Sequence, residues 1–143
     1  MTETIASTEL ERLRARHLRY GWLGLFVFVV LGGVLEALHG FKVDWYLAVG
    51  NETTRLMWRL AHAHGTFLSL VHVAFAVSIA HAERPALLAS RSLLGATIAL
   101  PGGFLLGAFG ADGGDPGLGI ALVPLGLVML LVAIVATLRG LRR

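Results

Sequence analysis

Apolar residues in this chain come in four long runs separated by short polar stretches, and each run is near the length that crosses a bilayer as a helix. The pattern predicts an all-α integral membrane four-helix bundle with spans at about 19–38, 54–80, 92–109 and 118–138. Residues 1–17 form an arm ahead of the first span. Within it Thr8 and Glu11 make a capping-box pattern, and Leu10, Leu13 and Leu18 recur among Arg12, Arg14, Arg16 and Arg19. This predicts an interfacial helix over 8–17 that runs into the first span, with His17 in the interfacial part and the arginines reaching anionic headgroups. Tyr20 and Trp22, then Trp45 and Tyr46 in the loop Gly40–Thr53, sit where aromatic rings mark the headgroup level. Pro85 ends the second span. Pro101 and Pro124 predict kinks in the third and fourth, and Gly103 and Gly107 give a GxxxG packing face.

Charge then orients the bundle. With the N-terminus inside, Arg12, Arg14, Arg16, Arg19, Arg84, Arg91, Arg139, Arg142 and Arg143 lie on the cytoplasmic side, against Lys42, Arg55 and Arg59 outside. This bias predicts both termini in the cytoplasm and explains the net charge of +3 without nucleic acid as a partner. Hydrophobic residues make up 56% of the 143, so the partner is the lipid bilayer and no room remains for an extramembrane catalytic domain. The polar first 17 residues exclude a cleavable signal peptide. The absence of cysteine excludes disulfides and thiolate chemistry. One lysine, one asparagine and no glutamine, beside abundant Ala, Gly, Leu, Val and Arg, point to a bacterial genome rich in G and C and hence to the bacterial cytoplasmic membrane. No Walker loop, H-E-x-x-H or G-x-S-x-G occurs.

Ionisable groups within a span are expensive, so they direct attention to the first two spans. Glu36 and Arg59 lie at matching depths near the outer ends of neighbouring antiparallel helices, which predicts an ion pair or an anchor for an acidic group. Arg55, Arg59, His62, Thr66 and Ser69 step by three or four and form one polar stripe; His64, Leu68, Val71 and Phe75 form another, roughly 160° away. His62 and His64 therefore cannot chelate one metal. His72 lies about 12 Å along the axis from His64, too far to share one with it. His39 and His81 sit at the predicted interfaces, and His64 and His72 are the leading ligand candidates.

The stretch Arg59-Leu60-Ala61-His62-Ala63-His64-Gly65-Thr66-Phe67-Leu68 resembles the second helix of haem–copper oxidase subunit I and its small four-helix bacterial relatives. In that family a Thr-x-His-Gly-x-x-Met-type motif supplies an axial ligand to the low-spin haem; here Leu68 stands where the family has methionine. The resemblance implies haem b on the iron ligand His64, with Gly65 giving a flat macrocycle room to approach. Arg55 and Arg59 lie nearer the surface where propionates would emerge. The second ligand would come from His72, from His39, the only histidine available from another span, or from a second copy of the chain. The copper-site histidines have no counterpart, so oxygen reduction is not implied. Three functions follow as expectations: haem-based electron transfer or sensing within a respiratory-type membrane complex; a non-enzymatic accessory subunit or homo-oligomer; and a proton or metal pathway along the polar stripe.

Overall fold

The computed structural model describes residues 2–81, 86–112 and 114–141, with side chains from Ser7 onward. Pro85, Arg84, Arg142 and Arg143 lie outside the described residues. The chain folds into α1 (Thr2–Gly40), the short α2 (Asp44–Leu47), α3 (Glu52–Ser78), α4 (Leu87–Phe109) and α5 (Leu122–Leu141). Single 3₁₀ turns at Val49–Asn51, Ile79–His81 and Leu118–Ala121 connect them, and no strand occurs among the described residues. Four helical stretches are long and apolar enough to cross a membrane: Ser7–Gly40, Val49–His81, Leu87–Phe109 and Leu118–Leu141.

Several predicted boundaries shift for physical reasons. Helix α1 starts at Thr2, so Thr8 sits within the helix rather than capping it, and arm and span are one uninterrupted rod. Its 39 residues reach about 58 Å at about 1.5 Å each, well beyond a hydrocarbon core of about 30 Å. Helix α4 begins at Leu87, five residues before the apolar run predicts, because Ser90 is buried and helical despite its polarity. Pro101 lies inside α4, which continues through it. Pro124 is the third residue of α5, in the first turn, where its missing N–H has no helical partner to lose, so it produces no mid-helix kink.

The long helices pack in sequence order, α1 on α3, α3 on α4 and α4 on α5, so α3 and α4 form the centre and α1 and α5 the flanks. Neighbours are antiparallel. The starts of α1 and α4 and the ends of α3 and α5 meet at one end, hereafter the N-terminal end, and the two remaining loops make the other. The flanks present apolar side chains outward, including Trp22, Phe26 and Val30 on α1 and Leu127, Leu131 and Val135 on α5. Between α4 and α5 the GxxxG face packs as predicted: a methyl group at Gly103 would meet Val123, and one at Gly107 would touch Ile120. The Gly117 amide also donates to the Gly107 carbonyl at 2.8 Å. At the loop end Arg55 donates to the carbonyls of Tyr46 (2.6 Å) and Ala48 (2.8 Å), and the Tyr46 ring stacks on Trp58. Arg55 is thus a tether for the α1–α3 connection rather than a partner for a ligand.

Candidate functional site

The polar stripe of α3 faces α1, and α1 meets it with small residues. A methyl group at Gly24 would overlap the Ser69 hydroxyl, one at Gly32 the His62 imidazole, and one at Gly21 the Val73 side chain. These glycines, with Phe28, fall at steps of three and four, and His17 continues the same register one turn before Gly21. On α3 the stripe also continues past Ser69, by three residues, to His72. The seam between the two helices therefore holds polar groups from Arg55 to His72, a rise of about 26 Å.

At the N-terminal end the seam closes into a buried hydrogen-bonded chain. His17, His72 and Ser90 are each 0% exposed. His17 is thus not part of a solvated arm: it lies in the core beside Phe75, stacked on His72 with ring centroids 4.8 Å apart. The direction of every bond follows from the Thr97 end. Thr97 Oγ1 donates to the Leu93 carbonyl at 2.9 Å, so it accepts from His72 Nε2–H at 2.8 Å. A neutral imidazole carries one N–H, so His72 Nδ1 accepts, and His17 Nδ1–H donates across 2.6 Å. His17 Nε2 then accepts from Ser90 Oγ–H at 2.7 Å. The Ser90 oxygen accepts in turn from Arg16 Nη2 at 2.5 Å. A guanidinium only donates, which is compatible with this polarity, fixed from the Thr97 end. Three helices supply one line of donors and acceptors, with both imidazoles neutral and every proton assigned.

At the loop end, an open pocket of about 590 Å³ is lined by Glu36, His39, Arg59, His62, Gly32 and Tyr46. It collects four of the predicted site residues. Glu36 and Arg59 share this pocket but do not pair: both are exposed, and the one ion pair among the described residues is Glu52–Arg55 at 3.9 Å. Counting residues along two helices fixes depth and leaves the direction around each axis free. His62 donates from Nδ1 to the Phe28 carbonyl of α1 at 2.6 Å, which fixes its ring against the seam.

Comparison with protein-family models, curated proteins and solved structures finds no match to this chain.

The likeness to haem–copper oxidase subunit I thus rests on Arg59–Leu68 alone. His64 donates from Nδ1 to the Leu60 carbonyl at 2.8 Å, leaving Nε2 as its acceptor nitrogen, an arrangement suited to a ligand. Its ring packs on Phe104 and lines a groove of about 380 Å³ with Ala63, Phe67, Leu100, Leu127 and Leu130. That lining contains no second imidazole and no cation for a propionate. His39 and Arg59 line the pocket at the loop end instead, and His72 is engaged with His17. Gly65 does not open space for a macrocycle, because the Phe28 ring occupies the position a side chain would take. The residues present therefore do not fit a haem held by this chain alone. No group of three or more His, Asp or Glu able to hold a metal ion occurs among the described residues either.

Of the residues that do come together, sequence reasoning found His72 and missed His17, Ser90 and Thr97. The signals were present. His17 continues the glycine register of α1, and Ser90 and Thr97 are seven residues apart, on one face of α4.

Proposed function

We propose that this is an integral protein of the bacterial cytoplasmic membrane, with both termini in the cytoplasm, and that it relays protons along the seam between α1 and α3. The observation that carries the reading is the buried chain Arg16–Ser90–His17–His72–Thr97. Titratable groups inside a membrane are costly, and where they occur they mark ion and proton paths. Imidazole suits the task because it accepts a proton at one nitrogen while releasing one from the other. The hand-off is balanced. A proton from water at the N-terminal end joins the Ser90 oxygen as the Ser90 O–H proton passes to His17 Nε2. The His17 Nδ1–H bond then breaks as a His72 Nδ1–H bond forms. His72 passes its Nε2 proton to Thr97 Oγ1 as the Thr97 O–H proton, turned away from the Leu93 carbonyl, is released to a water molecule on the loop side. Toward the loop end the stripe continues with Ser69, Thr66 and His62, where the buried Thr66 hydroxyl has no hydrogen-bond partner and so is open to a further link.

Purified protein in liposomes is expected to dissipate an imposed pH gradient several-fold faster than empty vesicles when potassium and valinomycin balance charge. His72→Phe should fall to the empty-vesicle rate. His64→Ala, which faces the other side of α3, should keep the wild-type rate. Wild-type flux equal to that of empty vesicles would end the reading.

Orientation has its own check, since the chain has no native cysteine. In intact cells Asp112→Cys should react with an impermeant maleimide, and Glu11→Cys should react only after permeabilisation. The reverse pattern would invert the topology.

A further inference from the structure

The N-terminal end carries a second polar feature, which shares only Arg16 with the proton path. A pocket of about 630 Å³ between α1 and the start of α4 is lined by Thr8, Glu9, Arg12, Arg16 and Arg91, with Leu13 at its base. Arg12 and Arg16 are one turn apart on α1, and Arg91 follows Ser90 on α4. Three guanidinium groups thus converge on a space to which a single carboxylate, Glu9, contributes. None of the three is in an ion pair among the described residues. Arg16 spends one nitrogen, Nη2, on Ser90, while its Nε–H is buried with no partner. A buried N–H left unpaired costs about 1–3 kcal/mol, and like charges one turn apart on a helix repel. Such an arrangement is stable when an anion with several acceptor oxygens occupies it. The first turn of α4 adds to the field: Leu87 lines the pocket at the positive end of a 23-residue helix.

We propose that this pocket binds a phosphate group. The planar fork of arginine matches phosphate oxygens in pairs, and the three forks approach from two helices, so one tetrahedral group can be held from two sides. Phosphate reaches the site from either of two sources with the same chemistry: the headgroup of an anionic phospholipid, or phosphate free in solution. The pocket is large enough for the phosphate and part of the group that carries it. Its occupation does not depend on proton conduction, so either reading can fail without the other.

The test uses the full chain, purified and delipidated in a neutral detergent, with the melting midpoint as readout. Inorganic phosphate is titrated in one series. Short-chain phosphatidylglycerol is titrated in a second, and phosphatidylcholine of the same chain length, whose phosphate charge is offset by its own choline cation, serves as the zwitterionic control. A rise of several degrees with inorganic phosphate alone identifies soluble phosphate. A rise with phosphatidylglycerol alone identifies a lipid headgroup, and a rise with both identifies the phosphate group whatever carries it. The pocket variant Arg12→Gln/Arg91→Gln should bind at least about tenfold more weakly, and Arg91→Gln alone should lie between. Arg14→Gln/Arg19→Gln also removes two positive charges, both from α1 and outside the pocket, and should bind as wild type does. No stabilisation of the wild type by either phosphate source, or equal loss in the two double variants, would overturn the site.

Discussion

Replacing His72 by leucine is expected to destabilise the protein, and replacing His17 as well is expected to return part of the loss. In the native chain His17 Nδ1–H donates to His72 Nδ1, with both rings fully buried. His72→Leu leaves that N–H with no acceptor, at about 1–3 kcal/mol. His17→Leu leaves His72 Nδ1 and the Ser90 hydroxyl without their partners and should cost a similar amount. The double variant removes both members of the central bond and substitutes side chains of comparable size, a change that is often close to neutral. The two losses should therefore be non-additive, with a coupling on the order of 1–3 kcal/mol, read as melting midpoints or as unfolding free energies in a denaturing detergent. Additive losses would mean the rings do not bond. The same three variants separate structural adhesive from relay. If the pair only holds helices together, the recovered stability of the double variant should bring back whatever transport was lost. If it carries protons, the double variant is stable and conducts nothing.

How much of this was legible in the chain depends on the kind of question asked. Hydropathy marks what is apolar, and it located four long helices because each contains a run that water would reject. It did not mark where helices end. The polar start of α1 and the Ser90–Arg91 segment of α4 are helical because neighbouring helices pack on them, and polarity alone reads them as arm and loop. The same bias hid His17, which stands between Arg16 and Arg19 in a charged stretch yet is fully buried. Counting residues gave the heights of Glu36 and Arg59 correctly enough to put them on one pocket, but height says nothing of azimuth, and the pair does not close. Gly65 shows the limit most clearly. A glycine beside a histidine reads as space kept for a ligand, whereas the space is filled by Phe28 from 37 positions earlier in the chain (65 minus 28), a contact that no local pattern encodes.

Gly126→Ala is expected to destabilise strongly, although the same substitution at an open helical position should be neutral or favourable. In a helix interior alanine is better than glycine by about 1 kcal/mol, because it loses less backbone freedom on folding. At Gly140, the penultimate residue of α5, nothing lies within 4 Å of the added methyl and only a fraction of that term acts, so Gly140→Ala should melt at or slightly above wild type. At Gly126 the methyl would stand 2.7 Å from the Leu100 backbone nitrogen and 3.1 Å from the Ala99 Cβ. A backbone atom of a neighbouring helix cannot turn aside, so α4 and α5 must separate along the contact. Overpacking costs about 1–3 kcal/mol and more when backbone must shift, which exceeds the propensity gain. Gly65 provides the intermediate case. There the obstacle is the Phe28 ring, the end of a side chain that can rotate. Gly65→Ala should therefore cost less than Gly126→Ala, and it should cost almost nothing further in a Phe28→Leu background. The ordering Gly126, then Gly65, then Gly140, measured as falls in melting midpoint, is the prediction. If Gly126→Ala melts as high as Gly140→Ala, α4 and α5 do not approach each other as closely as described.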